Sequence, residues 1–471
     1  MTKPALSIRL SPIARVLALT LIHGCLYIAV VPPWQVPDEP VRYEYLRGLA
    51  RAASFFPSVV DRSAAVYQQI RDSWLIFRWW EFYGLPLPTV ATRPLPTATL
   101  GAIGGWSLYY RLSMPLYWLV SGWPIVNQLY VLRLYSLALQ CLTVWLTYHL
   151  ARLIFSGATN PAAQVIPVAA ALVVAIFPQY AFISAGYNDD NLVPPLVAAS
   201  LYAVLRGLSK RGDYRWLALG GGLAFLAFLT KRTSVSLLIL IGLCLLVYAA
   251  MWLRSTGRGR RIAGLLVIGA AVAAGLGLLI LVVKPPQLPP RLAALLNLRT
   301  DDWSALMVYV REPGQLLKID WVGQLLFLSM SFWGWFGWLT APLDTRLMEI
   351  LRRVTLLLMV GCGFAWLGPA LAARPRFRLN FQLGALLLLG LGLALTLAVM
   401  VAQLLVDPRA YTLTGRYLFP FISAFGILAV WGWQAWWPAR WKVPGILLGL
   451  ILLAALDFTA LALTMAPFFY S

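Results

Sequence analysis

Two adjacent carboxylates, Asp38 and Glu39, sit in the run VVPPWQVPDEPVRYEYLRGLA, directly after one of the most apolar stretches of the chain. The prolines of PPWQVP make it hard for a helix to continue, which places the pair on a defined turn. A carboxylate there can serve as a general base or orient an acceptor hydroxyl. It can equally be an ordinary end-of-span acid, salt-bridged to Arg42. A second polar cluster is SAGYNDDNLVPP, in which Asn188, Asp189, Asp190 and Asn191 follow one another. Such a turn caps a helix, binds a divalent cation through oxygen ligands, or holds a substrate hydroxyl. The cations come from two further motifs, Lys231 and Arg232 in FLTKRTSV and Arg416 with Tyr417 in LTGRYLFP. They read as snorkelling membrane anchors or as an anion site, and Arg in particular can grip phosphate oxygens in pairs.

The elements that must position these residues lie in a membrane. Of 471 residues 61% are hydrophobic and 12% charged, with mean hydropathy +0.76. A soluble domain carries about a quarter charged residues. Apolar runs of roughly twenty residues recur, each long enough to cross a bilayer. Spans are expected near 12–31, 127–153, 164–185, 192–209, 215–231, 234–253, 262–283, 347–371, 379–405, 417–437 and 443–466. The fold class is an all-α polytopic membrane protein of about eleven transmembrane helices. The first run is long, lacks a small-residue cleavage site and reads as an uncleaved anchor.

Charge supplies the orientation. The net charge is +21, and its Lys and Arg clusters (Arg206 to Arg215, Arg254 to Arg261, Arg374 to Arg378, Arg440 with Lys442) mark cytoplasmic loops facing anionic lipid. Lys3, Arg9 and Arg15 put the N-terminus in the cytoplasm. Under this threading nearly all carboxylates, including Asp38, Glu39, Asp189 and Asp190, fall at the extracytoplasmic face, while Asp457 lies inside the last span. Arg133, Arg352 and Arg353 are costly within spans and call for partners in the bundle. A multi-pass cell-membrane protein with any active site outside is the expectation.

Residues 1–471 read as one membrane domain with two large external segments, 32–126 and 284–346. In the first, Val41, Tyr45 and Leu49, and again Val66, Ile70, Trp74 and Phe77, recur at helical spacing and predict amphipathic helices on the membrane surface. Pro, Thr and Gly between about 85 and 105 predict irregular loop. In the second, the Trp-rich run 321–339 is expected to lie in the interface or to re-enter, because a full crossing would break the charge rule. Several function classes drop out. The four cysteines have no metal-ligand spacing, and two histidines make a histidine zinc site improbable. No glycine-rich phosphate loop marks an ATP-driven pump, and no nucleic-acid partner is expected.

The order of these motifs resembles the GT-C superfamily of polyprenyl-phosphate-sugar-dependent glycosyltransferases: first span then PDEP, a long amphipathic loop, NDDN after the third span, LTK before the sixth, and GRYLFP late. With SFWGWFGW included, it is similar to a bacterial polytopic membrane family filed as a domain of unknown function. The resemblance covers nearly the whole chain and implies an inverting transfer from a polyprenyl-phosphate sugar to a glycan, lipid or protein acceptor. Asp38 matches the superfamily's acidic residue after the first span, a base or acceptor-positioner, with Glu39 its neighbour. Asp189 and Asp190 match a second acidic motif that in some members binds a divalent cation, Mg or Mn. Lys231 and Arg416 match cations near the donor phosphate, and Arg232 and Tyr417 are grouped with them. The narrower family usually reads Asp-Glu-Pro-x-His, whereas this chain has Arg42, which can neither take up a proton nor bind metal and is given a phosphate contact instead. Rival readings are a transporter or flippase for an anionic lipid-linked glycan, and a glycan ligase using a lipid pyrophosphate donor.

Overall fold

The first helix begins where the sequence offers a cap. Ser11 accepts a hydrogen bond from the Ala14 backbone N–H at 3.3 Å and proline occupies the first turn, so α1 runs Pro12–Val30. It stops because Pro32 and Pro33 follow. This computed structural model describes residues 11–51, 64–82, 107–158, 160–209, 213–255, 308–309, 311–372, 381–406 and 412–470. The expected span 262–283, the loop between about 85 and 105 and the first part of 284–346 lie outside the described residues.

The chain continues through α2 (Glu39–Arg51), α3 (Ala64–Ile76), α4 (Trp79–Phe82), α5 (Leu108–Val120), α6 (Ile125–Ile154), α7 (Pro161–Ala175) and α8 (Pro178–Ser184). Then come α9 (Val193–Ser209), α10 (Tyr214–Thr230), α11 (Val235–Ser255), α12 (Trp321–Trp333), α13 (Thr345–Ala372), α14 (Phe381–Val406), α15 (Ile422–Gln434) and α16 (Lys442–Phe458). After α16 the helix widens into a π turn, Thr459–Met465, and closes with α17 (Ala466–Tyr470). The protein is an all-α polytopic membrane protein. Among the described residues seven helical segments are long and apolar enough to cross a bilayer, or eight if the α7–α8 pair, bent by 59°, is one span. α10 and the Arg232–Leu246 stretch are shorter apolar helices that fall on two further expected spans.

Helices form over both stretches of the first loop predicted to be helical, as α2 and α3. α12 has 13 residues, a rise of about 20 Å against a hydrocarbon core of about 30 Å. It leads into a two-stranded antiparallel hairpin, β1 (Trp335–Phe336) and β2 (Ala341–Pro342), with Trp335 opposite Pro342. Gln179 clamps this hairpin by accepting from the Trp335 N–H at 2.8 Å and donating to its carbonyl at 3.1 Å.

Spans are joined by small and polar residues, as expected where helices gain nothing from hiding apolar surface from lipid. A Cβ on Gly24 would lie 2.1 Å from Leu137, so α1 and α6 touch backbone to side chain there. Thr147 donates to Ser423 at 2.7 Å, and Ser200 to the Gly220 carbonyl at 2.7 Å. Asp457 accepts from Tyr27 at 2.7 Å and faces His23 Nε2 at 2.7 Å, tying the first span to the last. The expectation of bundle partners for Arg352 and Arg353 is corrected. Both face Glu349 on the same helix, at 2.9 and 3.4 Å, because three- and four-residue spacing brings those side chains together.

Candidate active site

The turn after α1 is strained and is held in place by one buried ion pair. Trp34 and Asp38 both adopt left-handed backbone conformations, φ 72° and 67°. Asp tolerates that region better than most residues, and such conformations persist where the surroundings over-determine them. The fixing group is Glu39. Its Oε1 accepts from Arg133 Nε and the Tyr187 backbone N–H, each at 2.9 Å, and its Oε2 accepts from Arg133 Nη2 at 2.7 Å and the Trp34 N–H at 2.9 Å. Arg133 also donates to the carbonyls of Val31 and Pro32, at 2.7 and 2.9 Å. Both side chains of the pair have no exposed surface. The geometry therefore separates two carboxylates that the sequence reading took together as catalytic. Glu39 has four donors on two oxygens and no face for an acceptor, which makes it the anchor of the turn. Asp38 points the other way, with 31% of its side chain exposed.

Around Asp38 four further elements converge. Arg416, on the 3₁₀ turn Gly415–Phe421, donates through Nη2 to Asp38 Oδ2 at 3.0 Å. The 3₁₀ turn Asp189–Asn191 carries both acids of the second motif, and Asn188 caps it by accepting from the Asp190 N–H at 3.0 Å. Asn188 also donates to the Pro37 carbonyl at 3.1 Å, which stitches the second acidic turn to the first. Arg42, one turn into α2, lies 3.5 Å from Asp189 Oδ1. Lys231, the residue ending α10, is hydrogen-bonded to Asp190 and 3.9 Å from Asp189. Tyr417 completes the wall, its ring 5.3 Å from Lys231 Nζ and 5.4 Å from the Arg416 guanidinium. Arg232 follows on the 3₁₀ turn Arg232–Ser234, half-buried.

Electrostatics follow from this arrangement. Burial alone would push the Asp38 carboxyl up, but the charges of Arg416, Arg42 and Lys231 and the Arg416 hydrogen bond outweigh it and hold the group below its ordinary value. Burial would likewise pull Lys231 down, and Asp190 and Asp189 hold it above its ordinary value. Asp38 is thus an ionised carboxylate and Lys231 a charged ammonium. Arg42 Nε and Arg416 Nε and Nη1 are buried donors without an acceptor among the described residues. They give the site unspent capacity for an anion.

Lys231 already has an anionic partner within the protein, Asp190. Asp189 and Asp190, read as a second acidic site or metal site, each face a cation, and among the described residues no group of three or more His, Cys, Asp or Glu is placed to hold a metal. What the sequence reading missed is the identity of Arg133's partner. The signal was there, a costly arginine in a span and a carboxylate pair with one member unaccounted for.

With this geometry in view, residues 116–275 match the family of dolichyl-phosphate-mannose-protein mannosyltransferases, in keeping with the GT-C resemblance. Among solved structures, the chain is similar to the crystal structure of the Archaeoglobus fulgidus oligosaccharyltransferase tethered to an acceptor peptide through a disulfide bond. Identity is 12%, coverage is 97% of this chain and 55% of that one, and the TM-score is 0.44. This chain spans little more than half the length of that protein. No curated protein matches it in sequence.

Proposed function

We propose that this GT-C glycosyltransferase moves a sugar from a polyprenyl-phosphate-linked donor to an acceptor at the extracytoplasmic face, with inversion at the anomeric carbon. The observation that carries the reading is the Asp38–Arg416 contact, a partly exposed carboxylate beside cations drawn from three separate elements. In the proposed step Asp38 accepts the proton of an acceptor hydroxyl as its oxygen bonds to the anomeric carbon. The bond from that carbon to the phosphate oxygen breaks, and the lipid phosphate leaves with the electron pair. Arg416, Arg42 and Lys231 are aimed at that developing charge, and the unpaired N–H groups of Arg42 and Arg416 are free to donate to phosphate oxygens. Asp189 and Asp190 hold Arg42 and Lys231 in place before donor arrives. Glu39 and Arg133 act at one remove, by fixing the turn that aims Asp38. No step is routed through a metal.

The test is donor turnover by the purified full chain in lipid, on a panel of short-chain polyprenyl-phosphate and polyprenyl-pyrophosphate sugars, with and without divalent metal. Monophosphate turnover supports the reading. Turnover of pyrophosphate-linked glycans alone would make the protein a ligase. Translocation of labelled lipid in sealed vesicles without any transfer would make it a transporter.

A further inference from the structure

The far end of the bundle carries a second feature that the transfer reaction does not use. α15 leaves the turn that holds Arg416 and runs 13 residues to Gln434, about 20 Å away. There a cavity of about 310 Å³ opens between α13, α15 and α16, lined by Phe364, Ala365, Trp431, Gln434, Ala435 and Lys442. Phe364, Ala365, Trp431 and Ala435 give it apolar walls. Gln434 contributes an amide and Lys442 an ammonium, and no carboxylate among the described residues lines it. Lys442 is the first residue of α16, so its charge adds to the positive end of that helix instead of offsetting it. Arg440 is exposed on the turn just before. Two cations and a helix N-terminus at one rim call for an anion.

The surroundings say what kind. Trp436 and Trp441 are exposed beside the cavity, as tryptophans are at the level of lipid headgroups. Leu357 and Val360 on α13, and Leu447, Leu448 and Ile451 on α16, present exposed apolar surface leading away from it. The volume lies at the small end of the range of about 300–1,000 Å³ usual for ligand pockets, enough for a headgroup but not for a whole lipid. A free phosphate would answer the charge and leave the apolar walls without a use. We infer that this cavity holds the headgroup of an anionic glycerophospholipid, its phosphate on Lys442 and Gln434 and its acyl chains along α13 and α16. The lipid would brace three helices at the end of the bundle opposite the transfer site.

Native mass spectrometry of the full chain, released from neutral detergent containing equal phosphatidylglycerol and phosphatidylethanolamine, tests this independently of any activity. Wild type should retain phosphatidylglycerol preferentially. Lys442→Gln should weaken that retention by about five-fold, the effect of one cation near an anionic lipid. Ala435→Phe, which fills the cavity and keeps the lysine, should abolish it, with unchanged thermal unfolding in neutral detergent showing that both variants are folded. Equal retention of the two lipids by wild type, or undiminished retention in folded variants, would overturn the assignment. So would displacement of phosphatidylglycerol by millimolar inorganic phosphate, which would make the occupant a free anion.

Discussion

Asp38 and Arg416 stand 378 positions apart in the chain and 3.0 Å apart in the structure. The contact joins the turn after the first span to the turn before α15, and it brings the acidic and the basic halves of the site together. Removing the carboxylate's charge while keeping its shape separates chemistry from binding. Asp38→Asn should lower turnover by about 100- to 10,000-fold, the usual worth of a positioned general base, with donor affinity changed little. Single-turnover kinetics and donor binding on the same preparation check it. A variant that loses binding and turnover together would make Asp38 a donor ligand instead.

Arg416 also sets when Asp38 is charged. The folded protein holds that carboxyl below its ordinary value, so its ionisation contributes stability that is present above the unfolded pKa of about 3.9 and lost as pH falls through the folded one. The acid limb of kcat/KM in wild type should therefore lie below the ordinary carboxylate range. In Arg416→Gln the largest opposing charge and its hydrogen bond are gone, only Arg42 and Lys231 still offset burial, and the limb should move to higher pH. A pH profile that keeps its acid limb in place would assign the base to another group.

The sequence showed which residues would matter better than it showed how they pair. Hydropathy and Pro-Pro placed the Asp38 turn at the end of a span, and the spacing of Val41, Tyr45 and Leu49 gave α2. These are local properties, carried by neighbours in the chain. The partnership of Glu39 with Arg133 is a contact across 94 positions between the turn after the first span and the α6 span, and nothing in either local sequence names the other. The same holds for Lys231 and Asp190, each explained alone as a surface feature and explained together as a pair. What the one-dimensional reading could register was cost: Arg133 inside a span, Lys231 on a short turn. Cost points to a partner without identifying it.

The Glu39–Arg133 pair should behave as structure. Arg133→Met leaves a fully buried carboxylate without its main partner, at a cost of about 3–5 kcal/mol, and should lower thermal stability sharply. Pairing it with Glu39→Gln should recover part of that loss, since the buried charge is gone and the amide oxygen still accepts from one of the two backbone N–H groups. Thermal unfolding of the two single variants and the double variant measures the coupling. An additive double variant would mean that the two side chains act separately.

Lys231→Met should act mainly on donor affinity. A charge-assisted hydrogen bond contributes about 1.5–3 kcal/mol, so binding of a polyprenyl-phosphate sugar should weaken by roughly 10- to 100-fold. Lys231→Arg should restore most of it, because the cation and its Asp190 contact are kept. Equal weakening in both variants would point to the shape of the ammonium group and not to its charge.

A glycine with no chemistry of its own also positions the site. Gly415 precedes Arg416 and packs on the last turn of α12, where an added Cβ would lie 2.3 Å from the Phe332 backbone nitrogen and 2.4 Å from its Cα. Its N–H also donates to Ser331 Oγ at 2.8 Å. A clash with backbone cannot be relieved by a rotamer change, so Gly415→Ala must push the turn away from α12 and carry Arg416 with it. The guanidinium then leaves Asp38, and the variant should reproduce the raised acid limb of Arg416→Gln although its arginine is intact. A cysteine cross-link between the two elements would report the displacement directly. If Gly415→Ala kept both wild-type turnover and the wild-type pH profile, α12 would not be what positions Arg416.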